Sequence, residues 1–194
     1  MNLFKTSRIA LIAALSAGAA ALSFTAAPIA AHAERDPMVG GAAMYATRNI
    51  VQNAMNSKDH TTLVAAVKAA GLVDTLEGPG PFTVFAPTNE AFAKLPAGTV
   101  QDLLKPENKD KLTAILTYHV VPGKYSAADL MRAAKMGGGE TTLKTVQGEP
   151  LTFKDVDHRL QVVDAKGDKA WVTIANVDQS NGVIQVINGV LLPN

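Results

Sequence analysis

The sequence predicts an α+β domain, with helices filling its first half and an antiparallel meander its second. Three observations point there. Apolar residues recur at helical spacing from Arg48 to about Met136. From Thr141 onward the spacing switches to period two. The turn clusters QGEP, DVDH, AKGD and QSNG punctuate that second half. Helices and strands therefore segregate rather than alternate as βαβ units.

The chain opens with Lys5 and Arg8, then an apolar run from Ile9 to Phe24, then small residues ending Ala31-His32-Ala33. This pattern predicts a secretory signal over 1–33, cut after Ala33. An uncleaved anchor fits less well, because the run is short for a ~20-residue span and Ala-rich. Cleavage leaves 194 − 33 = 161 residues, enough for one domain with its own core. The whole chain has 18 basic and 17 acidic residues. The signal takes two basic and no acidic ones, leaving 16 − 17 = −1. That balance offers no electrostatic footprint for nucleic acid. The chain has no cysteine, hence no disulfide and no thiol for a lipid anchor. No later segment is long and apolar enough to insert in a membrane. The expected location is the periplasm or the exterior.

Residues 34–44, with Pro37, Gly40 and Gly41, read as a flexible lead-in, and 45–194 as the domain. RNIVQNAMNS forms a short amphipathic helix. Asp59 suits the N-cap of a helix over Thr61–Ala70, closed by Gly71. FTVFA reads as a strand that Pro87 stops. Thr88 caps the short helix TNEAFAKL, with Glu90 at its positive end. Phe82, Phe85 and Phe92 are placed to anchor that corner. Thr99 and Asp102 begin another helix. Pro106 ends it and opens PENKDKLTAILT. YHVVPG is extended. Ser126 and Asp129 have capping-box spacing for a helix that runs to Gly137-Gly138-Gly139. The strands are TTLKTV, LTFKDV, RLQVVD, AWVTIANV and GVIQVINGVLL.

Three stretches in fixed order, TVFAPTNEAF, YHVVPGKYSAADL and NGVIQVINGVLLP, resemble the signatures of the fasciclin-like domain family. The resemblance covers about Asn49 to Pro193. It implies a wedge of two antiparallel sheets, about seven strands, with helices packed on one side. It also implies a non-catalytic role in adhesion, with a cell-surface or matrix protein or a polysaccharide as partner, and a monomer or weak homo-oligomer. The signature residues here are Thr83, Pro87, Thr88, Asn89, Tyr118, His119, Gly182, Gly189 and Pro193, and the resemblance makes them mainly architectural. Gln185 and Asn188 stand where the family commonly has His and Asp, so this edge lacks an ionisable pair.

The candidate chemistry is sparse. His60, His119 and His158 are too far apart in sequence to make a local zinc motif, and no thiolate is available. Asp155, Asp157, Asp164 and Asp168 fall around turns, where they more often bond their own backbone than calcium. MGGGET follows a helix, the wrong order for a phosphate cradle. No catalytic residue, cofactor or metal ligand is predicted. The candidate partner-binding residues are Tyr118, His119, Trp171 and Asp110. The Asp110 stretch NKDKL faintly resembles an adhesion motif of animal relatives, but with Lys109 and Lys111 beside it on a predicted helix it reads better as a solvated helix face. For His119 the competing reading is an imidazole bonded to nearby backbone. A soluble binder of a small molecule or sugar is the alternative function, and it requires a concave apolar pocket.

Overall fold

The computed structural model describes residues 36–194. The predicted signal over 1–33 lies outside them. Among the described residues seven α-helices precede the meander: α1 (Ile50–Ala54), α2 (Thr61–Ala70), α3 (Val73–Glu77), α4 (Asn89–Ala93), α5 (Thr99–Leu103), α6 (Lys109–Tyr118) and α7 (Ala127–Met136). Strands β1 (Met38–Val39) and β2 (Ala42–Ala43) form a small hairpin. The other strands are β3 (Phe82–Pro87), β4 (Val120–Pro122), β5 (Glu140–Lys144), β6 (Pro150–Val156), β7 (Arg159–Val163), β8 (Lys169–Gln179) and β9 (Gly182–Ile187).

The α+β class and the period-two second half are as the sequence predicts. Three expectations are corrected. The 34–44 lead-in, read as flexible, contains the β1–β2 hairpin, whose Val39 packs into the core together with Met44. Asp59 does not cap α2. It lies in a 3-10 turn over Lys58–His60, and the position before α2 makes no side-chain cap. Finally, the pairings are not all antiparallel. The seven strands run in the order β4-β3-β9-β8-β7-β6-β5, and β3 and β9 are parallel, with Phe82 opposite Gly182 and Pro87 opposite Ile187. Every other neighbouring pair in this sheet is antiparallel. A strand's own pattern marks its buried faces but not its partner, which is why this pairing escapes local reading.

The parallel pair explains why β3 and β9 are buried almost along their whole lengths. Side chains on their two faces enter two separate clusters. One joins α1, α2 and α6 to Val84, Ala86, Ile184 and Val186. The other joins α7 to Phe85, Ile187 and the strands β6 and β7. Phe85 and Phe92 therefore anchor different clusters. Phe85 meets Phe153 with ring centroids 5.2 Å apart.

Candidate functional site

The three signature stretches lie side by side. β4, which follows Tyr118-His119, pairs with β3, and β3 pairs with β9. Thr83 stands between Val121 and Val183. It is fully buried, and its hydroxyl donates to the Gly123 carbonyl (2.7 Å) and accepts the Tyr125 N–H (2.9 Å). Pro87 ends β3 without an N–H, and the next amide, Thr88, donates to the Ile187 carbonyl at 3.2 Å. The Thr88 hydroxyl caps α4 by accepting the Ala91 N–H.

Asn89 performs the capping that Asp59 does not. Its Oδ1 accepts the Thr62 N–H (3.0 Å) and the Thr61 hydroxyl, and its Nδ2 donates to the Lys58 carbonyl. The start of α2 is thus capped from α4, 27 residues away.

Tyr118 and His119 point to opposite ends of the chain's second half. The Tyr118 hydroxyl donates to the Pro150 carbonyl (2.8 Å) and accepts the Ala165 N–H (2.9 Å), joining α6 to the start of β6 and the β7–β8 turn. Burial pushes its pKa up to about 12, so it stays a neutral phenol. His119 Nδ1 lies 2.8 Å from the Ile115 carbonyl, and Nε2 accepts the Leu191 N–H at 3.0 Å. An acceptor at Nε2 and a carbonyl at Nδ1 specify the neutral Nδ1–H tautomer. Burial pushes the pKa down to about 4, outweighing the Ile115 hydrogen bond.

The remaining signature positions are steric. A Cβ at Gly182 would collide with the Phe82 carbonyl, so the parallel strands approach too closely for any side chain there. At Gly189 an added Cβ would come within 3.1 Å of the Ala170 Cβ. Pro193 is half-buried in the segment after β9. That segment is pinned at successive amides, Leu191 by His119 and Leu192 by Asp164 Oδ2 (2.9 Å). Asp164 Oδ1 accepts the Lys166 and Asp168 N–H groups, so both carboxylate oxygens serve backbone. Among the described residues, no group of three or more His, Cys, Asp or Glu is placed to hold a metal ion.

Gln185 is not at an edge. It lies in a central strand, fully buried, and its Oε1 accepts the Asn176 N–H while its Nε2 donates to the Tyr125 carbonyl and Asn176 Oδ1. Asn176 sits at φ 58° in a bulge of β8 and also accepts the Ala127 N–H at the start of α7. Sequence reasoning missed this polar network, because its members are distant in sequence and individually unremarkable. Asn188 is spent on Trp171: Oδ1 accepts the Trp171 N–H, and the Asn188 N–H donates back to the Trp171 carbonyl.

Of the candidate partner-binding residues, Tyr118 and His119 are buried, at 0% and 2% exposure. Asp110 is exposed in the first turn of α6. Trp171 is half-exposed on β8, and the Arg159 guanidinium lies over its ring at 4.8 Å. No hydrogen bond or ion pair joins Asp110 to Trp171 among the described residues. With Tyr118 and His119 enclosed, the four residues do not form one exposed surface.

Residues 58–193 match the model of a family described as Fasciclin domain. The chain belongs to that family. Among similar proteins, the fasciclin-domain chain is 53% identical over 160 residues to Protein sll1483 of Synechocystis sp., covering 82% of each. It is 36% identical over 202 residues to the immunogenic protein MPB70 of Mycobacterium bovis, covering 94% of this chain and 96% of that one. It is 35% identical over 191 residues to the cell surface glycolipoprotein MPB83 of the same species, covering 87% and 79%. The fold resembles a FAS1 domain pair from the insect cell adhesion molecule fasciclin I, with a TM-score of 0.66 at 20% identity. The fasciclin-domain chain is covered over 75% of its length and spans about half (51%) of that two-domain structure.

Proposed function

We propose that this fasciclin-domain protein is an exported, non-catalytic adhesion or matrix-interaction module that binds a protein or polysaccharide at the cell surface. The observation that carries the reading is how the signature side chains are used. Thr83, Thr88, Asn89, Tyr118 and His119 direct their polar atoms at the protein's own backbone and side chains. They build a scaffold rather than presenting groups to a substrate. Partner contact then falls to exposed surface, where the half-exposed Trp171 with the Arg159 guanidinium stacked on its ring offers a mixed aromatic and cationic patch. A surface location agrees with MPB83 being a cell surface glycolipoprotein and with the fold's likeness to fasciclin I. Among the described residues no helix is long and apolar enough to cross a membrane.

The test is retention of the purified protein on its own cells and on their exopolysaccharide at near-physiological salt. Saturable retention, weakened by Trp171→Ala, is expected. Absence of retention on both sinks the reading.

A further inference from the structure

One region of the helical layer is less than fully packed. Beneath α3 lies a cavity of about 40 Å³, lined almost entirely by apolar atoms, with walls formed by Val51, Leu63, Val67, Leu76 and Leu116. A second apolar cavity of about 30 Å³ adjoins it and shares Leu76, Leu116 and Val120. Protein interiors ordinarily leave few voids larger than a water molecule. α3 is short: it has five residues, one buried side chain (Leu76) and no side-chain cap at its start, and its end is tied down by Asn181, whose Nδ2 donates to the Leu76 and Gly78 carbonyls.

The lining of the larger cavity includes one charged side chain. Lys68, in the last turn of α2, is exposed and lines the larger cavity. Among the described residues it has no carboxylate within 4 Å. No acidic residue lines either cavity. The interior offers nothing to a polar ligand, because both ring nitrogens of His119 are already engaged.

We propose that this space binds the tail of a single-chain carboxylate amphiphile, a medium-chain fatty acid, with Lys68 holding the carboxylate. A dry apolar cavity selects an unfunctionalised hydrocarbon. A lone ammonium at its mouth selects a monoanionic head. Seating the tail requires Leu76, which lines both cavities, to turn aside so that the two spaces join. The site is independent of the adhesion reading and would stand if that reading failed.

Titration calorimetry of the purified protein with hexanoate, octanoate and octylamine tests it. Octanoate is expected to bind one saturable site, with affinity rising about fourfold per methylene over hexanoate. Octylamine is expected not to bind. Lys68→Gln, a surface change, should weaken octanoate by roughly fivefold to tenfold. Ala54→Leu, which fills the cavity from α1, should abolish binding. No saturable octanoate binding, equal binding of octylamine, or octanoate binding unaffected by Lys68→Gln would overturn the proposal. The last arm holds even if Ala54→Leu does not fold.

Discussion

His119 Nε2 accepts the Leu191 backbone N–H at 3.0 Å, tying the end of α6 to the segment that follows the last strand, 72 residues on. The same ring holds the Ile115 carbonyl through Nδ1. A protonated imidazole could not accept from Leu191, so the clamp requires the neutral form.

That requirement sets an acid limit. The unfolded chain takes up the proton near pH 6.5, whereas folded His119 does so only near pH 4. Between these values the unfolded state binds more protons, so stability is complete above about pH 6.5 and falls as pH drops toward 4. The loss over this range is on the order of a few kcal/mol. His60 acts in the same direction. Burial lowers its pKa, with the Ala86 carbonyl and Asp59 pulling the other way. Urea unfolding at pH 7 and pH 4.5 should show the loss, and His119→Gln should flatten the dependence. An equally stable protein at both pH values would refute it.

Asn89→Ala should cost about 1 kcal/mol, the usual value of a helix cap. Its signature is local: amide exchange should accelerate at Thr62, whose N–H loses its acceptor. Unchanged protection at Thr62 would show that Asn89 does not cap α2.

Much of the architecture was legible because the controlling signals are local. Ser126 caps α7 by accepting the Asp129 N–H, as the spacing predicts, while the Asp129 carboxylate takes the Ser126 hydroxyl in place of the Ser126 backbone N–H that a full capping box would engage. Thr88 caps α4, and the expected strands of the second half form, except that the last ends at Ile187 instead of reaching Leu192. What escaped depends on distant partners. Asp59 looked like the cap of α2, but the acceptor for Thr62 arrives from Asn89 across the fold. α3 is a single turn between Gly71 and the EGPGP cluster, too short to show helical periodicity. Gln185 reads as a lost charge at an edge only until the parallel β3–β9 pairing places it in the interior.

Tyr118→Phe keeps the ring and removes one hydroxyl, leaving the Pro150 carbonyl and the Ala165 N–H without their shared partner. A loss of about 1–3 kcal/mol is expected, read by chemical unfolding, with the fold retained. A change within about 0.5 kcal/mol, the ordinary range for a surface substitution, would mean the hydroxyl is not structural.

The account's central claim is that the signature segment holds the domain together rather than meeting a partner. Equilibrium urea unfolding of His119→Ala at pH 7 tests it most directly. The substitution strips two buried backbone groups, the Ile115 carbonyl and the Leu191 N–H, of their partner. The predicted result is a loss of about 2–4 kcal/mol. Unchanged stability would contradict the claim.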